Sequence, residues 1–278
     1  MTPTAADIVS IDRVLTAAER VQPLPGTVLR LIAVLGSPDW DVEAIGEIVA
    51  HDQALAAQIL RAANSALHGG GSRIARVEDA VLRLGPGSVL SFSIGRSVRR
   101  PMLAVEEGLW RRSVIASLVV EEALKLGLGG STRGSDCQSA ALLHDFGRLV
   151  MAVMPEAEDL LLALEEHEPD SPGALAAEHD LFGLDHAEIG CLLAKSWKLP
   201  DTMARYISFH HRPGGGDQGQ LLVHLATVMA RGLEAGEPKV EALVPGVAES
   251  LGIDGTSWKG LAETVHGRLE DVLAMYAV

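Results

Sequence analysis

The sequence predicts an all-α protein. Ala, Leu and Val dominate a chain that is 47% apolar and only 4% aromatic, and Ala and Leu favour helix. Long strand-like runs of Val, Ile, Thr and Tyr are absent. Apolar residues instead recur at helical steps in one segment after another. The 278 residues allow one large domain or two small ones with a sizeable core. With 22% charged residues the chain is globular rather than disordered.

The elements follow in order. Residues 1–20 form a leader with one short helix, about Ala5 to Arg20, before Pro23 and Pro25 break the chain. Val28, Leu31, Ile32 and Leu35 stripe a helix from Thr27 that Gly36-Ser37-Pro38-Asp39 ends. Asp41 and Asp52 are expected N-caps of the next two helices. Asn64-Ser65 is expected to bond local backbone, and Gly69-Gly70-Gly71 closes the second. Helices near Val77 to Leu84 and Ser88 to Val98 follow, with Leu84-Gly85 as a stop. Pro101 and the stretch Glu106 to Gly108 mark a seam.

Beyond the seam, helices are expected over Leu109 to Leu126, Asp136 to Met154 and Glu156 to Glu168. Pro169-Asp170-Ser171-Pro172-Gly173 is a break. Asp185 and Glu188 have capping-box spacing. On that helix His186 lies in line with Ile189 and Leu193 and so starts the buried stripe. Asp201 can cap a helix that ends at His210-His211, where Met203, Ile207 and His210 share a face. Gln220 to Gly232 gives one more helix, and a helical tail with Trp258 closes the chain. Trp110 and Trp197 are expected core anchors.

The net charge is -14, from 23 basic and 37 acidic residues. That speaks against non-specific nucleic-acid binding and against anionic membranes. One basic cluster, Arg96, Arg99, Arg100, Arg111 and Arg112, breaks the trend. It is either a solvated helix end or a docking patch for an acidic or phosphorylated partner. Cys137 and Cys191 are expected to be reduced core thiols of a cytoplasmic protein. No signal peptide and no membrane span are expected.

The most informative stretch is A-A-L-L-H-D-F-G-R-L-V, Ala140 to Val150. It sets His144-Asp145 in an apolar run whose Leu142, Phe146, Leu149, Val150 and Val153 fall on one helical face. Two roles are open. A buried pair can simply satisfy neighbouring polar groups, or imidazole and carboxylate can ligate a divalent metal. Gly147, directly after, removes bulk where something can approach closely.

Taken together, the motifs resemble the HDOD family, a bacterial signal-transduction branch of the HD superfamily. The likeness spans about residues 21 to 213. It rests on L-P-G-T-V-L-R-L, H-D-Q-A-L-A-A-Q-I-L-R-A-A-N-S-A, V-E-D-A-V-L-R-L-G, L-W-R-R-S, A-L-L-H-D-F-G-R-L, D-H-A-E-I-G, W-K-L-P and H-H-R-P, in that order. The resemblance implies an N-terminal helical half (21–108) packed on an HD-like half (109–215), with 216–278 as a helical extension.

It also implies a site. Metal-dependent phosphohydrolases of the superfamily use a first histidine, the His-Asp doublet and a late aspartate as ligands. Related cyclic-dinucleotide phosphodiesterases add further histidines. His144, Asp145, His186, His210 and His211 match that set. Arg112 stands where the first histidine belongs, and Thr227 where the late aspartate belongs. Guanidinium cannot ligate a metal, and a threonine hydroxyl replaces carboxylate poorly.

The resemblance therefore implies a non-catalytic signalling module, acting through unidentified partner proteins, with no cofactor or one divalent transition metal. The alternative is a metal-dependent phosphohydrolase of a nucleotide or cyclic dinucleotide. A third is a nucleotide receptor in which Arg112 grips phosphate. The five His/Asp residues are expected to converge, and Arg112 is expected to pair with Asp145, directly or through one water. The alternative for Arg112 is solvent, beside Arg111.

Overall fold

Short polar residues ahead of apolar stripes start several helices of this fold. The computed structural model describes residues 11–21, 24–35, 40–65, 74–130, 132, 134–214 and 216–276. The expected start at Ala5, the Gly36–Asp39 turn and the Gly69–Gly71 stop lie outside the described residues. Among them there is no strand, and no helix is long and apolar enough to cross a membrane.

The first five helices are α1 (Ile11–Ala18), α2 (Gly26–Leu35), α3 (Val42–Ala50), α4 (Gln53–Ser65) and the long α5 (Val77–Val105). Asp41 caps α3, accepting from Ala44 N at 2.7 Å. Asp52 likewise accepts from Leu55 N at 3.0 Å ahead of α4. Asn64 does more than bond locally. Its amide donates to Leu60 O and Ile74 O, and its oxygen accepts from Ile74 N, tying the end of α4 to the approach to α5.

The helices expected over 77–84 and 88–98 are one element bent at Gly85, whose φ is +77°, and carried on to Val105 with Pro101 inside. The left-handed φ is one that only glycine adopts at no steric cost. The bend lets α5 serve two sets of helices. It packs on α2, α3 and α4, and also on α6 (Glu107–Lys125) and α7 (Gly134–Leu143).

After α7 come α8 (Gly147–Met151), α9 (Ala157–Leu164), α10 (Pro172–Phe182), α11 (His186–Ser196), α12 (Asp201–Ser208) and α13 (Gln218–Glu234). Helices α6, α7 and α13 pack on one another, and α11 and α12 pair beside α7 and α8. A short turn of 3-10 helix, Val240–Ala242, then α14 (Val247–Leu251) and α15 (Gly255–Tyr276) close the chain. α15 crosses back over α6 and α4, with Tyr276 edge-on to Trp110 at 5.0 Å. α1 rests on α8 and α11. Trp110, Trp197 and Trp258 are buried core residues. Each large apolar side chain so buried contributes roughly 1.5–3 kcal/mol.

Three expectations about elements are corrected. The helix expected over 136–154 breaks after Leu143. Backbone bonds from Phe146 N to Leu143 O, Arg148 N to Asp145 O and Leu149 N to Phe146 O tighten the chain into an i to i+3 turn. The doublet thus sits at a helix break, and Val153 is exposed. The residue at the N-cap of α12 is Pro200, with Asp201 in its first turn. His210 and His211 lie just past α12, which ends at Ser208.

Candidate metal centre

Three elements aim the expected residues at one point. The turn after α7 carries His144 and Asp145, the first turn of α11 carries His186, and the loop after α12 carries His210 and His211. Apart from half-buried His211, all of them are buried, with Asp145, His186 and His210 at 0% exposure. His186 Nε2 lies 3.1 Å from Asp145 Oδ1, 2.9 Å from His211 Nε2 and 3.4 Å from His210 Nε2. His144 Nε2 lies 3.1 Å from Asp145 Oδ2. The His144 and His210 rings stand edge to face at 5.1 Å.

The other ring nitrogen of three of these histidines is spoken for. His144 Nδ1 donates to Ala141 O at 2.8 Å, and His210 Nδ1 to Ile207 O at 2.7 Å. His186 Nδ1 donates to Glu178 Oε2 at 2.7 Å, and the same oxygen accepts from His186 N at 2.9 Å. Carbonyl and carboxylate oxygens only accept, so each Nδ1 carries a proton and each Nε2 faces the site. This outer layer of acceptors is how proteins orient metal-binding imidazoles.

Charge is arranged around that point by residues the sequence did not single out. Arg148 reaches Asp170 Oδ1 at 2.6 Å, Glu178 Oε1 at 3.2 Å and Asp145 Oδ1 at 3.5 Å. Arg231 approaches Asp170 Oδ2 at 3.6 Å. Arg148 had a local signal, three residues after Asp145. Glu178 and Asp170 had none: one is on α10 and the other was covered by its turn motif.

Arg112 points inward, as its pairing with Asp145 requires. Its Nε stands 3.7 Å from Asp145 Oδ2, while Glu106 takes both terminal nitrogens at 3.1 and 3.2 Å and Glu234 one at 3.3 Å. Arg111 turns away to Glu270, Arg96 to Asp52, and Arg100 is exposed, so the basic cluster is not one patch. Thr227 spends its hydroxyl on His224 O, in its own helix. His224 is structural, with Nδ1 donating to His210 O and Nε2 accepting from Val244 N. Thr227, Asp170, His210, His211 and Arg231 line an outer cavity of about 320 Å³.

The titrations follow from this packing. Burial opposes charge on His186, as does Arg148, but Glu178 and Asp145 outweigh both and carry it up to about 9. Burial first, then the neighbouring imidazoles, holds His210 and His211 well below the ordinary histidine value. Burial would raise Asp145, yet His144 and Arg148 hold it well below the usual carboxylate range.

The residues present fit a divalent metal. Asp145 Oδ2 is a buried acceptor without a hydrogen-bond partner, with the Arg112 guanidinium at 3.7 Å as a cation beside it. The carboxylates of Asp145, Asp170, Glu178, Glu106 and Glu234 face the guanidiniums of Arg112, Arg148 and Arg231 and the His186 imidazole, so carboxylates outnumber guanidiniums. His186, His210 and His211 form one group with metal-binding spacing, and Asp145, Asp170 and His186 another. His144 belongs to neither.

The comparisons agree with this architecture. The HDOD domain profile matches residues 21–213; the chain belongs to the HDOD family. A Treponema pallidum (strain Nichols) protein of uncharacterised role is 28% identical over 199 residues, 69% of this chain and 37% of that protein. The chain thus spans well under half of that relative. A Shewanella amazonensis SB2B crystal structure, provisionally named a phosphohydrolase, superposes with a TM-score of 0.70 at 25% identity, covering 95% of this chain and 97% of that one. A Marinobacter aquaeolei VT8 structure, provisionally named a signal transduction protein, gives 0.72 at 24%, covering 96% of this chain and 64% of that one.

Proposed function

We propose that this chain is a cytoplasmic signal-transduction module that acts through contacts with partner proteins and retains a reduced, single-ion version of the HD site. One observation carries this: the Arg112 guanidinium stands against Asp145 Oδ2, clamped by Glu106 and Glu234. Two-metal hydrolysis needs a pair of ions about 3.5–4 Å apart, commonly bridged by a shared carboxylate. Here a fixed cation faces one oxygen of that carboxylate, and the Thr227 hydroxyl is bonded to its own helix.

Asp145, His186, His210 and His211 would hold one ion, which when bound supplies positive charge and Lewis acidity at the buried carboxylate. Glu178 would orient His186 through Nδ1, and Ile207 O would orient His210. The provisional name of the Marinobacter relative and the family's association support a signalling role. The charge of -14 supports a protein partner over nucleic acid or anionic membrane. The oriented imidazoles equally suit a metal-dependent phosphohydrolase of a nucleotide or cyclic dinucleotide, as does the Shewanella relative's name.

The test is metal content after purification without chelator or affinity tag, followed by incubation with nucleotides and cyclic dinucleotides under Mn²⁺ or Fe²⁺. We expect one ion per chain at most and no turnover. Hydrolysis above background that Asp145→Ala abolishes would establish the hydrolase instead.

A further inference from the structure

Asp170 lies in the loop between α9 and α10, in a stretch whose sequence marks only a turn. Its backbone φ of +59° is left-handed, which asparagine and aspartate tolerate better than other side-chain-bearing residues. The carboxylate is directed inward and is 10% exposed. Its Oδ1 stands 4.0 Å from His186 Nε2. The ligand atoms of Asp145, Asp170 and His186 all lie within 4.8 Å of one another. Ligands bound at about 2.0–2.2 Å sit on the order of 3–4 Å apart, so the widest pair of the three needs to close by at most about 1–2 Å around one ion.

The position also matches what α13 lacks. Arg231, one helical turn beyond Thr227, reaches Asp170 Oδ2 at 3.6 Å, and Thr227 and Asp170 line the same cavity. A carboxylate from another element therefore stands beside the helix that lost one. Asp170 is also one of the carboxylates that outnumber the guanidiniums around the site.

We propose that Asp170 is a metal ligand, supplied by the α9–α10 loop in place of the aspartate absent at Thr227, and that it completes the single-ion site with Asp145 and His186. This rests on the single-ion site proposed above. Two carboxylates among the ligands favour Mn²⁺ or Fe²⁺ over what a three-histidine set would select. The competing role is structural: Asp170 would only neutralise Arg148 and Arg231.

Asp170→Asn separates the two, because asparagine keeps the shape and tolerates the same backbone. Calorimetry with Mn²⁺ on the purified full chain should show about tenfold or greater loss of affinity, and the visible spectrum of the Co²⁺-loaded protein should change. Unchanged affinity and spectrum, with one ion still bound, overturn the role of Asp170 and leave the single-ion reading standing. No ion bound by the parent overturns both. Should Asp170→Asn not fold, infrared difference spectra of the parent on Mn²⁺ binding decide. Shifts from two aspartates support the proposal, and a shift from one overturns it.

Discussion

Gly147 is the position where a single methyl group should do the most damage. It opens α8 directly under α11. A Cβ there would collide with His186 O, lie 2.7 Å from Gly190 N and 3.0 Å from His186 C. Ordinary contacts begin near 3.5 Å, so the helices must part by about 1.5 Å. The obstacles are backbone atoms, and no rotamer change relieves them. Overpacking commonly costs about 1–3 kcal/mol, and a clash between backbones belongs at the upper end, about 3 kcal/mol. For a chain of this size that is a fall in Tm of roughly 6–12 °C. Gly260→Ala adds the same methyl inside α15 with nothing within 4 Å, and should gain about 0.5–1 kcal/mol. Urea titration followed by circular dichroism reads both, as a change in midpoint at constant slope. A Gly147→Ala protein within about 1 kcal/mol of the parent would refute the close approach of α8 and α11. Because α11 begins at His186, the same substitution should also loosen the metal centre.

Two further outcomes are expected. Asp52→Ala removes the side-chain cap of α4 and a carboxylate that Arg96 Nη1 contacts through both oxygens at 3.0 Å, costing about 1–2 kcal/mol by chemical denaturation. Burial would raise the Asp52 pKa, but the Leu55 N–H and Arg96 outweigh it and lower it; its contribution is therefore present above the unfolded value and lost as pH falls through the lowered one, so the deficit of the variant should vanish in acid. Arg112→His with Thr227→Asp should raise Mn²⁺ or Fe²⁺ affinity by about tenfold in calorimetry, and no gain over the parent would mean that these two positions do not account for a reduced site.

Helix content and most helix starts were legible in the sequence because they are set locally. The Asp41, Asp52 and Asp185 caps act within three residues, and the stripe that buries His186 needs only helical periodicity. The ordered motifs were enough to indicate the family and to name the five residues that meet in one pocket, and the departures at Arg112 and Thr227 were visible as residue types. What lay beyond the sequence depends on contacts between distant elements. The break after Leu143 replaced a continuous helix, at a point where His144 gives its Nδ1 proton to Ala141 O and α11 presses against Gly147. Arg148, Asp170 and Glu178 became part of the site only when α8, the α9–α10 loop and α10 closed around it. A charge is costly to bury unless paired; which residues supply the pairing is decided by the packing of helices, which no local pattern records.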